Sequence, residues 1–108
     1  MGVKGDRLSK FSVLATEELV QKLAMISGVS TKKMFGGHGV FHDGKMFGIV
    51  DSKGAVYFKV DENMVSTYLD KGSTKHGRMP YYSVPETILN DLDALKIWAQ
   101  NSIEHSKK

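Results

Sequence analysis

The chain has 108 residues, with a hydrophobic share of 41% and a charged share of 25%, which are ordinary values for one globular domain and exclude a disordered or coiled-coil chain. No apolar run approaches the roughly 18 residues of a membrane helix, and the N-terminus lacks the apolar stretch of a signal peptide, so we expect a cytoplasmic protein. Zero cysteines exclude disulfides and thiolate metal ligands. The formal net charge is +3, but Lys107 and Lys108 at the C-terminus contribute two of these charges, so the body of the domain is close to neutral. Composition alone therefore does not predict the clustered basic face that nucleic-acid binding needs.

The N-terminal third of the chain predicts one helix. Residues 1–11 mix glycine with charged residues and are expected to be a flexible N-terminus. The helix should run from Ser12 or Thr16 to Ser27, with Leu19 and Leu23 on its apolar stripe. Gly28 is expected to end it, as glycine commonly does just beyond a helix. The folded domain is then predicted over residues 12–104, followed by a C-terminal tail over 105–108.

The pattern changes to that of strands between residues 29 and 61. Asp43-Gly44 is typical of a tight hairpin and predicts strands over 38–42 and 45–50. A turn over 51–54 then separates these from a strand over 55–60. The strand over 45–50 has apolar residues at alternate positions on both faces, as in a central strand. The segment therefore predicts an antiparallel meander.

The remaining third predicts a short helix, an edge strand and a final helix. Asp61 is a candidate N-cap for a helix over 62–71, in which Leu69 is one of the residues expected to face inward. Residues 79–84 suit an edge strand, because Pro80 cannot donate a hydrogen bond to a neighbouring strand. Apolar residues at helical spacing after Asp91 predict the last helix. The whole pattern indicates an α+β fold.

The histidines do not form a metal-binding pattern. His38 and His42 lie four residues apart, which on a strand separates them by about 13 Å, too far to share one ion. His76 and His105 have no ligand at suitable spacing and are expected to be solvated, His105 in the tail. We therefore expect no zinc and no cofactor.

Glycines at positions 36, 37 and 39 surround His38 in a run that superficially resembles a phosphate-binding loop. The run lacks the Gly-Lys-Ser/Thr ending and the following helix of such a loop. The favoured interpretation is a bend or bulge, where glycine accepts a positive φ or lets a side chain pack on bare backbone. Gly36 and Gly37 are thus predicted to matter for folding, and ligand binding there is the alternative.

A basic segment running into two tyrosines is the best candidate for a nucleic-acid or partner contact, because basic groups can hold phosphates while rings stack on bases. The residues are Lys71, Lys75, His76, Arg78, Tyr81 and Tyr82. The alternative is a solvated loop followed by one buried and one exposed tyrosine. The aspartates at 43, 51 and 61 fall at turns and a cap, and no two are paired as acid and base, so no enzymatic activity is expected.

Several short elements, taken together in order and spacing, resemble the N-terminal domain of the TfoX (Sxy) family of bacterial competence regulators over roughly residues 12–104. The elements are Met34-Phe35-Gly36-Gly37 with Gly39, Asp43-Gly44, Met46-Phe47, Tyr57 to Asp61, Met79-Pro80-Tyr81-Tyr82 and Trp98-Ala99.

The resemblance implies a secretion-chaperone-like, two-layer fold with a curved antiparallel sheet flanked by N- and C-terminal helices. It also implies a positive regulatory role, which named members exercise alongside the cyclic-AMP receptor protein at competence promoters. Lys33 stands where the family often has arginine. Because the sequence ends near Lys108, we expect the helical C-terminal domain of full-length regulators to be missing, and a stand-alone copy need not share the competence role.

Two classes of function follow from the sequence. The first is a non-catalytic adaptor in transcription regulation that works through protein–protein contacts, as a homodimer or with a transcription-related partner, and with at most weak non-specific affinity for nucleic acid. The Pro80 edge of the sheet is the predicted place for such a contact. The second is a small-ligand-binding domain or enzyme with a site near Gly36–Gly39.

Overall fold

The computed structural model describes residues 3–34 and 36–107, with side chains from residue 10 onward. Four helices and five strands are described, with a short 3₁₀ turn at Glu62–Met64. The strands are β1 (Val29–Met34), β2 (Gly37–His42), β3 (Lys45–Val50), β4 (Val56–Lys59) and β5 (Tyr81–Ser83). The helices are α1 (Val3–Lys22), α2 (Val65–Asp70), α3 (Glu86–Leu89) and α4 (Leu92–Ser106). None of them is long and apolar enough to cross a membrane.

The strands form one open antiparallel sheet in the order β1-β2-β3-β4-β5, which confirms the predicted meander and the α+β fold. Asp43-Gly44 joins β2 to β3, with both residues at positive φ as this tight turn requires. The predicted strand at 79–84 is present as β5 and lies at an edge, with Pro80 just before it.

One hydrophobic core joins the helices to one face of the sheet. α1 contacts β1, β2 and β3, and α4 contacts β3 and β4. The core members that are fully buried or nearly so include Leu19, Leu23, Val40, Phe47, Val50, Phe58, Leu95 and Ala99. α2 joins this cluster through Tyr68, whose ring lies 4.3 Å from that of Trp98. The face of the sheet that the helices cover therefore carries the hydrophobic core.

The pairing of β2 with β3 shifts register at Phe47, because Val40 pairs with Gly48 while Phe41 pairs with Met46. This extra residue replaces the strict alternation that the sequence predicts for β3. Phe47 and Val50 both enter the core, while Met46 and Ile49, which are half-buried, lie on the opposite face. The prediction of apolar groups on both faces is confirmed, and the bulge explains which residues occupy each face.

The boundaries of α1 differ from the predicted ones. The helix begins at Val3 rather than Ser12 or Thr16, and it ends at Lys22 rather than Ser27. Residues 23–27 form turns, including a hydrogen bond from the Ile26 amide to the Leu23 carbonyl, and Gly28 at φ +86 leads directly into β1. The apolar spacing of Leu19 and Leu23 continues past the helix end, which is why the periodicity overextended it.

Two predicted details of the later helices are corrected. Leu69 is 52% exposed, because the short α2 can bury only the side that carries Tyr68. α4 continues to Ser106, so His105 belongs to its last turn, half-buried with Nδ1 3.7 Å from a carboxylate oxygen of Asp61. The predicted N-cap is confirmed, since Asp61 accepts from the Asn63 amide. The structure adds a second cap, since Asp91 accepts from the Ala94 amide at the start of α4.

Candidate functional site

The predicted contact residues of the basic segment are separated by the fold. Lys71, Lys75 and Arg78 are exposed, whereas His76 is half-buried against the edge of the Tyr57 ring, with ring centres 4.7 Å apart. His76 is therefore not the solvated residue that its isolated position suggested. Its interaction with Tyr57 depends on a contact between loop and sheet that no local pattern indicates.

Neither tyrosine of the pair presents a free ring. Tyr81 is 4% exposed, and its hydroxyl donates to the Met46 carbonyl over 3.3 Å, while burial raises its pKa. Tyr82 is half-buried and its ring lies 6.2 Å from that of Tyr68. Stacking on a base would require Tyr82 to leave this contact. Contact by this segment with nucleic acid or a partner stays a prediction.

The outer side of β5 is already occupied. The Ser83 amide donates to the Thr74 carbonyl and the His76 amide to the Tyr81 carbonyl, while Lys75 forms an isolated bridge with Tyr82. The Pro80 edge, where the sequence predicted a partner strand, is therefore covered by residues 74–76 of the chain itself. Within the described residues, β1 is the edge strand that pairs on one side alone.

The glycines between β1 and β2 have distinct roles. Gly36 adopts φ +78 in the connection, as the bend interpretation predicts. Gly37 is buried without a positive φ, and a Cβ there would collide with the carbonyl oxygen of Val50. Gly39 is the position where side chains pack on bare backbone, as predicted for one member of this run. Phe35, the remaining member of the family-like element, lies outside the described residues.

A hollow of about 270 Å³ opens on the sheet beside these glycines, on the face that carries Met46 and Ile49. Its lining residues are Met34, Gly37, His38, Met46, Ile49, Val50, Asp51, Ser52, His76 and Met79. We call it the methionine hollow, after Met34, Met46 and Met79. Thioether side chains are flexible and polarisable, so such a surface adapts readily to an apolar group.

Few polar groups border the methionine hollow. Asp51 is held by its own turn, with one carboxylate oxygen accepting from the Lys53 amide at 3.0 Å and the Ala55 amide at 2.8 Å. Burial raises the pKa of Tyr57, and the nearby Asp51 carboxylate raises it further. His76 has its Nδ1 buried, with no hydrogen-bond partner among the described residues. This arrangement suits apolar contact with a small number of orienting polar groups.

His38 connects the hollow to the helical layer. The Ser12 hydroxyl is fully buried on α1 and lies 2.8 Å from His38 Nδ1 and 3.5 Å from the Val50 carbonyl. If Nδ1 carries no proton, the serine donates to the ring; if Nδ1 carries one, the ring donates to the serine, whose hydroxyl donates to the Val50 carbonyl. The pair fixes α1 to the start of β2, so His38 has a structural partner that the sequence did not reveal.

A second, more polar hollow of about 150 Å³ lies where α4 meets the start of α2. Asp61, Tyr68, Ser102 and His105 line it. Burial raises the pKa of Tyr68 to about 12, and a hydrogen bond with Ser102 opposes part of that rise. Asp61 is also the N-cap of the 3₁₀ turn, so its contact with His105 ties the end of α4 to this turn.

Among the described residues, no three histidine, cysteine or acidic side chains are placed to share a metal ion.

Sequence reasoning missed how Met46, Ile49 and His76 come together with Met34 and Met79. A signal existed, because Met34, Met46 and Met79 all belong to the family-like elements, and they meet in one place although up to 45 positions separate them in the chain. The bulge at Phe47, which brings Met46 and Ile49 to one face, has no such local signal.

The comparison with protein families places the chain by its sequence. The family model described as the TfoX N-terminal domain matches residues 21–106. A search among curated proteins finds no match for the chain. Because the family model covers well over half of the 108 residues, the chain belongs to the TfoX N-terminal domain family.

Proposed function

We propose that this chain is a non-catalytic adaptor domain that acts in transcription regulation through protein–protein contacts. The observation that carries the proposal is the convergence of the family-like elements on the methionine hollow, next to the unpaired edge of β1. Met34, Met46 and Met79 belong to the family-like elements and lie together at one surface. This arrangement favours that surface as the place where the domain contacts a partner. The cytoplasmic setting expected from the sequence is part of this proposal.

The chemistry of the methionine hollow favours binding over catalysis. Its lining is dominated by thioether and aliphatic groups, and its carboxylate, Asp51, already accepts two amide hydrogen bonds from its own turn. General acid–base chemistry would need a titratable group free to exchange a proton with a substrate. Of the two histidines in the lining, His38 has its Nδ1 2.8 Å from the Ser12 hydroxyl, and His76 packs against the Tyr57 ring with its Nδ1 buried. An apolar surface with few polar groups instead stabilises a complex, because binding removes apolar side chains of both partners from water.

The partner is a transcription-related protein, a second copy of the chain, or both. Exposed apolar side chains on α1, namely Phe11 at 53% and Leu14 at 57%, offer a surface on which a second copy can pack. Nucleic acid enters as a weak, non-specific ligand of Lys71, Lys75 and Arg78, since exposed cations attract phosphates without reading sequence.

A small-ligand-binding domain is the second candidate, favoured by the position of the hollow directly against Gly37 and His38, within the glycine run. Its volume of about 270 Å³ lies just below the roughly 300–1,000 Å³ that is usual for pockets holding drug-sized ligands. A nucleotide or a large cofactor would project out of it. The size therefore favours a side chain or a very small molecule.

Affinity capture from the native host tests the adaptor proposal. The baits are the wild-type chain, Met79→Glu at the hollow and Met25→Glu, which lies at an 83% exposed position outside the hollow lining. We expect wild type and Met25→Glu to retain the same transcription-related protein or second copy, and Met79→Glu to lose it. Mass spectrometry identifies the retained protein, and purified components confirm the interaction. Native mass spectrometry of the freshly purified chain that instead shows a stoichiometric small molecule, with no protein captured, would contradict the adaptor role and support the second candidate.

A further inference from the structure

We infer that the methionine hollow receives one bulky apolar side chain from an extended, acidic segment of the partner protein, and that this segment runs along the free edge of β1. The inference rests on the proposed adaptor function and names the chemistry of its partner. Its support comes from the size of the hollow, from the charges around it and from the state of the two sheet edges.

The size and lining of the hollow select the kind of group that enters it. About 270 Å³ lined by Met34, Met46, Ile49 and Met79 can take one large apolar side chain while leaving little room for a whole small-molecule cofactor. Met79 is 39% exposed, so the mouth of the hollow is itself apolar and loses water contact when an apolar group enters. A single anchoring side chain in a pocket is the usual way in which peptide segments gain affinity.

Cations surround the hollow on two sides, and we call them the basic rim. Lys32 is exposed on β1 and shares the face of Met34, because side chains alternate along a strand, while Lys75 and Arg78 are exposed immediately before the lining residues His76 and Met79. None of these three forms an ion pair within the described residues. Asp51 is the acidic residue of the lining, and its carboxylate already accepts two amide hydrogen bonds, so the three cations outweigh it around an apolar centre, which complements an apolar side chain flanked by aspartate or glutamate.

The free edge of β1 favours an extended partner. β5 is closed by residues 74–76, whereas β1 pairs with β2 alone among the described strands. An added strand can hydrogen-bond to the unpaired backbone groups of β1. Met34 lies at the end of β1 and in the hollow lining, so a segment along this edge passes directly beside the hollow.

A second copy fits this edge less well than an acidic segment. Pairing β1 with β1 of another chain, antiparallel and in full overlap, would bring two copies each of Lys32 and Lys33 within a short stretch. In this register Lys32 faces Thr31 and Lys33 faces Ser30, and each lysine lies diagonal to a lysine of the other chain, about 7–8 Å away. Lysine on an edge strand also opposes self-association. Nucleic acid would satisfy the charges but not the apolar hollow, and the buried Tyr81 and packed Tyr82 offer it no free stacking platform.

A peptide-display experiment tests the inference. Random ten-residue peptides are selected for binding to the immobilised full chain. We expect the enriched peptides to share one phenylalanine, leucine, methionine or tryptophan together with at least two acidic residues. They should also displace any protein captured from the native host. Enrichment of basic or purely polar peptides, no enrichment at all, or displacement of the peptides by DNA in preference to protein would overturn it.

Matched variants locate the binding of the best selected peptide, measured by fluorescence anisotropy. Met79→Glu should weaken binding by about thirtyfold and Met79→Leu by no more than about threefold, because loss of a central anchor contact commonly costs about 2 kcal/mol. The double reversal Lys32→Glu/Lys75→Glu should weaken binding by about tenfold at low salt, and less at high salt. The matched double reversal Lys10→Glu/Lys45→Glu, at exposed positions outside the basic rim, should leave it unchanged.

Circular dichroism establishes that each variant is folded before it is compared. Equal affinity of wild type and Met79→Glu, with both folded, would overturn the inference. If a native partner is captured by both of these chains and is not displaced by the peptides, the adaptor function stands and the assigned segment is wrong. If no partner is captured, the adaptor function itself fails.

Discussion

The sulfur atoms of Met34 and Met46 lie over the same residue, Gly39, at 2.9 and 3.0 Å from the point where a Cβ atom would stand. One sulfur comes from β1 and the other from β3, so the glycine of the intervening strand β2 lets both side chains rest on its backbone. Both methionines also line the methionine hollow, and their contact gives a physical reason for glycine at this position.

Alanine substitutions should separate the roles of Gly37 and Gly39. At Gly37 a methyl group would meet the backbone of Val50 and Asp51, which cannot move away, so Gly37→Ala should lower the free energy of unfolding by about 3 kcal/mol. At Gly39 the obstacles are ends of flexible side chains, so Gly39→Ala should cost about 1 kcal/mol, partly offset by the reduced freedom of the unfolded chain. Urea unfolding measures both, and a larger loss at Gly39 would contradict this assignment.

The buried Ser12–His38 contact should be worth a measurable share of stability. Ser12→Ala leaves Nδ1 of His38 without its partner at 2.8 Å, and we expect a loss of about 1–3 kcal/mol in the free energy of unfolding. Ser30→Ala, at an exposed position of β1, is the control and should change it by less than about 0.5 kcal/mol. Equal unfolding midpoints for wild type and Ser12→Ala would show that this contact contributes nothing.

Tyr68 should make the fold sensitive to alkaline pH. Its pKa is raised from 10.0 to about 12 in the folded protein, so the folded state keeps the phenol proton that the unfolded chain loses above pH 10. This stabilising contribution is complete below pH 10 and is lost as pH rises towards 12, by about 2 kcal/mol over that window. Chemical unfolding at a series of pH values should show the decline in wild type and a shallower one in Tyr68→Phe. Parallel curves would refute this assignment.

Affinity for DNA should be weak and indifferent to sequence. The exposed cations Lys71, Lys75 and Arg78 permit phosphate contacts, with a dissociation constant on the order of 10⁻⁴–10⁻⁶ M at physiological salt. We expect titrations on matched and scrambled promoter fragments to agree, and binding to fall steeply with salt. The triple variant Lys71→Ala/Lys75→Ala/Arg78→Ala should weaken both equally. Tight binding of one promoter at physiological salt would instead make the domain a sequence reader.

The sequence predicted the sheet well because local signals determine it. Asp43-Gly44 fixes one hairpin, and Pro80 limits β5 to an edge. The end of α1 was misplaced because Leu23 and Ile26 keep helical spacing and still join or contact the core from turns. Periodicity reports which residues face the core and does not by itself report the backbone conformation that places them there.

The candidate site was only half visible in the sequence. The glycine run was correctly read as a place for bends and packing on backbone, but the apolar side chains that it gathers come from β1, β3 and the loop before β5. Their meeting depends on the bulge at Phe47 and on residues 74–76 covering β5. Both features arise from pairing between distant segments, which a single sequence does not specify locally.

Methionine methyl resonances provide the most direct test that the methionine hollow is the contact surface. The chain has six methionines, and Met25 and Met64, which lie outside the hollow lining, serve as internal controls for Met34, Met46 and Met79. The full chain labelled with ¹³C-methyl methionine is titrated with unlabelled lysate of the native host, and each signal is assigned by a methionine-to-leucine variant. The account predicts shifts or broadening at Met34, Met46 and Met79 with Met25 and Met64 unchanged. Changes confined to Met25 or Met64, or no change at any of the five, would contradict it.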